Sequence, residues 1–273
     1  DTLLGGSGND VLVIGAGDVI DGGAGTDLAR LDLSGGGAVT TSLSSGAASL
    51  AALAGATSIS NVERIELITG SGNDAINGSV EADILRTGAG NDQIDGGGGN
   101  DTIEAGDGND VIFGGGGADS VLGGAGNDVF YAAGGGDRFE GGSGNDAISF
   151  AVGTSAVVGD LGLGYADDAE GRSTFFDLEG LTGSGFNDAL YGDGNANQLS
   201  GGGGRDTLMG RGGNDAINGD DGDDLVYGEA GDDFLVGGAG VDYIIGGSGF
   251  DMVMYADSSV GVQVHMAENW VSR

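Results

Sequence analysis

Residues 96–131 read GGGGNDTIE, AGDGNDVIF, GGGGADSVL, GGAGNDVFY, four nonapeptides in a row with glycines in front, an aspartate sixth and a large apolar residue eighth. Outward from this stretch the acid recurs at every ninth residue, at Asp74, Asp83, Asp92, Asp101, Asp110, Asp119, Asp128, Asp137 and Asp146. The period returns at Asp188, Asn197, Asp206, Asp215, Asp224, Asp233, Asp242 and Asp251. Two residues after each of these comes a bulky apolar side chain, from Ile76, Leu85 and Ile94 through Phe130 and Phe139 to Ile244 and Val253. The residues beside them are mixed, as at Gln93, Thr102, Glu104, Ser120 and Arg138. That alternation is the pattern of a very short strand with one buried face. A three-residue strand followed by a six-residue turn cannot bury its face alone, so successive copies must stack.

Composition sets the terms for the stacking. The chain has 273 residues, 65 of them glycine, with no proline or cysteine, all eight cations arginine and a formal charge of −35. Self-repulsion and glycine entropy keep such a chain unfolded until something neutralises its carboxylates. A polyanion is a poor partner for nucleic acid or anionic lipid. No apolar run reaches bilayer length, which excludes membrane insertion by a helix. The absence of cysteine fits an exported protein that does without disulfides. No basic stretch followed by an apolar one, the mark of a signal peptide, opens the sequence. The expected partner is a cation.

The period divides the chain. A short repeat block spans 1–30, with Asp10 and Asp27 in good copies and Asp18 in a copy one residue short; a spacer follows at 31–69. The main repeats fill 70–149 and 183–254, separated by a spacer at 150–182. Residues 255–273 start like the second spacer, so a third spacer running past the sequence is expected. Both complete spacers return to the repeats through similar phrases, Val62-Glu63-Arg64-Ile65 before TGSGND and Leu178-Glu179-Gly180-Leu181 before TGSGFND. Alanine, leucine and serine predict a short helix over 42–54, and β-branched and aliphatic residues predict strand over 59–68.

Glycines allow positive φ and close approach of carbonyls. Calcium takes six to eight oxygens, backbone carbonyls and carboxylates among them. A tight turn that aims carbonyls and one aspartate at the turn above supplies half such a shell, and two stacked turns complete it. The nonapeptide GGxGxDxUx (U, large apolar) resembles the repeat of the RTX, or haemolysin-type calcium-binding, family. The resemblance implies an all-β fold, a right-handed parallel β-roll in two main blocks plus the short first one, with two nonapeptides per coil. It also implies calcium between loops eighteen residues apart, pairing Asp101 with Asp119 and Asp110 with Asp128. The ligands so implied are Asp10, Asp27, Asp74, Asp83, Asp92, Asp101, Asp110, Asp119, Asp128, Asp137, Asp146, Asp188, Asp206, Asp215, Asp224, Asp233, Asp242 and Asp251. About fourteen calcium ions would then set roughly +28 against the formal charge. The degenerate loops GSVEAD before Ile84 and AAGGGD before Arg138 are expected to bind more weakly.

Other readings fall away. Asp220 to Asp224 imitates the early ligands of an EF-hand, but it lacks the glutamate at position twelve and keeps the ninefold register. Val111, Phe113, Val129 and Tyr131, and likewise Phe234, Val236, Met252 and Met254, are expected to stripe outward sheet faces, covered by a spacer rather than by a protein or sugar partner. His265 and Trp270 are single, and neither a zinc-protease helix motif nor a nucleophile elbow is present, so no catalytic residue is assigned. The family implies export unfolded through a type I channel and folding outside the cell. The expected role is a secreted or cell-surface structural segment of a bacterial adhesin, surface-layer or matrix protein, with other copies or surface polysaccharide as further partners. The alternative is an accessory module of a secreted epimerase, protease or lipase, or of a cytolysin.

Overall fold

A computed structural model describes residues 1–14, 18–44, 47–50, 57–133, 135–254 and 263–265. All regular structure among them is β-strand, and the chain divides into two units, Asp1–Asp146 and Ala147–Arg273.

In the first unit, from Ala75 onward, strands fall alternately on two parallel sheets. Ile84–Ala89, Thr102–Asp107, Ser120–Ala125 and Arg138–Ser143 form one; Ala75–Asn77, Gln93–Asp95, Val111–Phe113 and Val129–Tyr131 form the other. Each strand pairs with the one eighteen residues on, so Leu85, Ile103, Val121 and Phe139 align on one sheet and Ile76, Ile94, Ile112 and Phe130 on the other. Two nonapeptides therefore make one coil of a parallel β-solenoid. The aligned residues are the core, all buried, with the rings of Phe130 and Phe139 5.5 Å apart across it. Each such side chain contributes about 1.5–3 kcal/mol by leaving water. The three-residue strand expected from the pattern holds on one sheet only. On the other, pairing runs on through Gly88, Gly106, Gly124 and Gly142, giving six residues. Gly106 has φ 114°, and a Cβ there would strike the Gly88 carbonyl, so the extension depends on glycine.

The first block has a coil of seventeen residues, with Leu3 beside Ile20 and Leu12 beside Ala29, because the copy holding Asp18 is one residue short. Leu28–Asp32 then pairs directly with Arg64–Ile68, Ala29 beside Ile65, and Arg64–Ile68 with Ile84–Ala89. The first spacer is thus looped out between adjacent rungs. Where residues 42–54 are described, at 42–44 and 47–50, the expected helix gives way to strand. Thr41–Ser44 and Ala47–Leu50 are antiparallel strands, and Ala47–Leu50 pairs in turn with Thr57–Ser60; residues 51–54 lie outside those described. An open sheet edge on Thr57–Ser60, itself paired with Val19–Ala24, outweighs the weak helix preference of alanine and leucine. The strand expected at 59–68 forms as two, Thr57–Ser60 and Arg64–Ile68, broken at Asn61 with φ 50°.

The second unit repeats the scheme. Ala147–Ser149, Gly180–Thr182, Gln198–Ser200, Ala216–Asn218, Phe234–Val236 and Met252–Met254 make one sheet. Val158–Asp160, Ala189–Tyr191, Thr207–Met209, Leu225–Ala230, Tyr243–Ser248 and Gln263–His265 make the other. The second spacer adds an antiparallel excursion, Tyr165–Asp167 between Val158–Asp160 and Arg172–Phe176. Leu190, Leu199, Leu208, Ile217, Val226, Leu235 and Ile244 are buried, and Val253 is half-buried.

The outward stripes are in register as expected. Phe113 stacks on Tyr131 with centroids 4.4 Å apart and Val111 lies beside Val129. Met252 and Met254, beside Phe234 and Val236, remain 62% and 43% exposed.

Candidate metal-binding loops

The ninefold aspartates follow the turns at the sheet edges, and nearly all are buried. Because the coil is eighteen residues, they divide by edge: Asp74, Asp92, Asp110, Asp128 and Asp146 on one and Asp83, Asp101, Asp119 and Asp137 on the other. In the second unit the groups are Asp188, Asp206, Asp224 and Asp242, and Asn197, Asp215, Asp233 and Asp251. Along every edge the backbone N–H of one member donates to Oδ1 of the next. The distances are 2.8 Å from Asp74 to Asp92, 2.7 Å from Asp83 to Asp101, 2.9 Å from Asp119 to Asp137 and 2.8 Å from Asp128 to Asp146. They are 2.8 Å from Asp188 to Asp206 and from Asn197 to Asp215, 3.1 Å from Asp224 to Asp242 and 3.2 Å from Asp233 to Asp251. Asp10 donates to Asp27 in the same way at 2.8 Å.

Oδ1 is therefore used by the fold. Oδ2 is a different matter. At Asp10, Asp27, Asp92, Asp101, Asp110, Asp119, Asp128, Asp206, Asp215, Asp224, Asp233 and Asp242 it is buried with no hydrogen-bond partner. A buried carboxylate oxygen left so is costly unless a cation meets it. Burial pushes the Asp101 carboxyl up to about 7, against the lowering effect of the Asp83 N–H, and the charges of Asp119, Asp83 and Asp95 push the same way. Burial likewise takes Asp224 to about 7 and Asp110, Asp206 and Asp215 to about 6.

At most of the open loops the Oδ2 lies beside a glycine five residues before its aspartate, and at Gly96, Gly123, Gly201, Gly210, Gly219 and Gly228 a glycine carbonyl of the next rung converges there too; Thr87 and Ala105 take that place before Asp92 and Asp110. A Cβ on Gly96 would sit 2.6 Å from Asp101 Oδ2, and one on Gly201 would sit 2.5 Å from the Gly219 carbonyl. Among the described residues no three acidic, histidine or cysteine side chains gather. A cation held here therefore draws one carboxylate and several backbone carbonyls from stacked turns. That all-oxygen donor set suits a hard ion such as calcium and is poor for zinc or copper.

The backbone four residues before the aspartate decides whether a loop is open. Gly97, Gly115 and Gly124 stand there at φ 91°, 97° and 117° before Asp101, Asp119 and Asp128. Arg211, Asp220 and Glu229 hold the same left-handed conformation, φ 71°, 68° and 73°, before Asp215, Asp224 and Asp233. Where that conformation is lost, the loop closes on itself. Ser79 N–H donates to Asp83 Oδ2 at 2.6 Å, Ser184 N–H to Asp188 Oδ2 at 2.5 Å, and Asp193 N–H to Asn197 Oδ1 at 2.8 Å. At Asp74 the Thr69 hydroxyl takes Oδ2, at 2.5 Å. The first loop on each edge of both main repeat runs is thus closed without metal.

Two features of the loops escaped the sequence reading. Glu63 accepts the Asp27 N–H at 2.9 Å, taking the place of a ninefold aspartate. Its signal was an acid two residues before a buried apolar residue, Ile65, a spacing Glu179 shares with Leu181. Where the residue before the aspartate is Asn or Asp, it builds a second ladder of opposite sense. Asn73 Oδ1 accepts the Asn91 N–H, Asn91 that of Asn109 and Asn109 that of Asn127, at 3.0, 2.9 and 2.7 Å. The recurrent Asn-Asp pair was that signal.

Asp160, in the second spacer, differs from the ladder. Burial pushes its carboxyl up, but hydrogen bonds from Arg211, with Leu163 and Gly162, hold it below the usual carboxylate range.

Stacked acidic turns with a buried, cation-seeking oxygen on rung after rung define a parallel β-roll suited to holding cations. Comparison with family models matches the RTX calcium-binding nonapeptide repeat at residues 1–29, 68–103, 95–130, 113–148, 182–217 and 218–253, well over half of the chain. The chain belongs to the RTX calcium-binding repeat family, whose modules bind calcium in secreted proteins. No curated protein matches it. Among the described residues no helix is long and apolar enough to cross a membrane.

Proposed function

We propose that this chain is an extracellular segment that calcium folds and stiffens, serving a structural role of the adhesin, surface-layer or matrix kind and carrying no catalytic site of its own. The observation that supports it best is the buried Oδ2 repeated along every edge. Each demands a positive charge that the chain, at −35, does not supply. About fourteen calcium ions would nearly cancel that charge. Because the ions bind the folded state, they stabilise it by mass action. Calcium, scarce in the cell and plentiful outside, then keeps the chain extended for type I export and folds it after release. In-register rungs clamped by ions suit a segment that transmits tension.

Far-ultraviolet circular dichroism in chelator and in rising calcium tests the folding step. The expected result is coil in chelator and β-structure near about 1 mM calcium; a spectrum indifferent to both would remove the proposal. Stretching the chain by force spectroscopy tests the structural role. Resistance is expected in calcium and should vanish in chelator, whereas equal, weak resistance in both would count against it.

A further inference from the structure

One cation is built into the chain. Gly192 stands five residues before Asn197, as Gly210, Gly228 and Gly246 stand five before Asp215, Asp233 and Asp251. The last three aim their carbonyls at the corresponding glycine of the rung before. A Cβ on Gly192 would meet Gly210 O at 2.5 Å, one on Gly210 would meet Gly228 O at 2.9 Å, and one on Gly228 would meet Gly246 O at 2.5 Å. The rung before Gly192 is no nonapeptide. It is the strand Val158–Asp160, paired with Ala189–Tyr191, and the turn that follows it. There the Gly192 carbonyl accepts a hydrogen bond from Arg211 Nη1 at 2.7 Å. The same guanidinium holds both carboxylate oxygens of Asp160, Nη1 to Oδ1 at 2.8 Å and Nη2 to Oδ2 at 2.6 Å. Asp160 is 4% exposed. A glycine carbonyl and a buried carboxylate, the donors that converge at the open loops, are here bridged by arginine.

Resting on the calcium reading above, we propose that Arg211 is a resident cation: its guanidinium takes the place of a calcium ion between the Asp160 turn and the loop at 192–197. This junction binds no metal, and it is the rung against which the calcium-filled rungs of the second unit stack. The planar fork of arginine reaches two carboxylate oxygens and a carbonyl at once, as a lysine does not. Arg211 stands at the left-handed position of its own loop, φ 71°, where glycine is the natural replacement.

Calcium bound per chain, by elemental analysis after gel filtration in calcium buffer, tests the proposal. Arg211→Gly leaves Asp160 and the Gly192 carbonyl facing each other without a cation, and about one additional calcium per chain is expected. Asp160→Asn added to Arg211→Gly should return the count to that of the parent. An unchanged count in folded Arg211→Gly would overturn the proposal, whatever happens to stability, since the arginine would then be a salt bridge only. Should Arg211→Gly fail to fold in calcium, the double variant, which has no uncompensated buried carboxylate there, is expected to fold with the parental count. Its failure too would overturn the proposal. Absence of calcium from the parent chain would instead refute the calcium reading itself.

Discussion

The backbone N–H of Asp101 donates to Oδ1 of Asp119, eighteen residues on, at 2.9 Å, while Oδ2 of the same Asp119 carboxylate is buried and has no hydrogen-bond partner. One oxygen ties two rungs together and the other waits for a charge. The two roles can be separated by substitution.

Asp119→Asn keeps the Oδ1 acceptor and removes the charge. Calcium bound per chain is expected to fall by about one, with the β-structure retained in saturating calcium. Asp119→Ala also strands the Asp101 N–H, and a buried donor without a partner adds a cost of about 1–3 kcal/mol. Comparing the calcium midpoints of folding for the two variants checks this; equal midpoints would show that the Oδ1 bond contributes nothing.

Ser184→Gly should open a loop that is now closed. Ser184 N–H occupies Asp188 Oδ2, and glycine there can take the left-handed conformation that Gly202 shows, φ 93°, one coil later. About one additional calcium per chain is expected by isothermal titration. The reverse change, Gly115→Ala, forces a side chain onto φ 97° and against the Gly97 carbonyl, and should cost about 1–3 kcal/mol in calcium-loaded unfolding.

Protons should partly replace calcium. In the metal-free fold Asp101 and Asp224 lie near 7 and Asp110, Asp206 and Asp215 near 6, all above the unfolded value of 3.8. The folded state therefore binds more protons than the coil between these limits. Its stability is fully present below 3.8 and is lost as pH rises through about 6 to 7. Circular dichroism in chelator is expected to show β-structure growing as pH falls from about 7 toward about 4. Acid with no effect would mean that carboxylate charge is not what keeps the chain open.

Phe130 is fully buried and lies 5.5 Å from Phe139. Phe130→Ala should cost about 3–5 kcal/mol and raise the calcium needed to fold the chain. A midpoint within error of the parent would show that the interior carries little of the stability.

The fold was legible because each nonapeptide states its own rule. The acid, the glycines and the apolar residue two places on fix the edge, the turn and the core, and Leu85, Ile103, Val121 and Phe139 duly align. What the sequence hid was non-periodic. The Arg211–Asp160 pair joins residues 51 apart across a spacer, and nothing local marks either partner. Closure of the loops at Asp83 and Asp188 depends on the φ of Ser79 and Ser184, and at this position Arg211, Asp220 and Glu229 take the conformation usually left to glycine. Within the range expected to be helical, residues 42–44 and 47–50 are strand because propensity is worth tenths of a kcal/mol per residue, less than pairing with a neighbouring strand.

Locating the ions is the most direct measurement. In crystals grown in calcium, anomalous difference maps are expected to show a calcium ion beside Oδ2 of Asp101, Asp119 and Asp128, and none beside Asp83, Asp188 or the Arg211–Asp160 junction. Maps with no ion beside the open carboxylates, in a chain that is nevertheless folded, would contradict the claim that metal between acidic turns is what makes this polyanion compact.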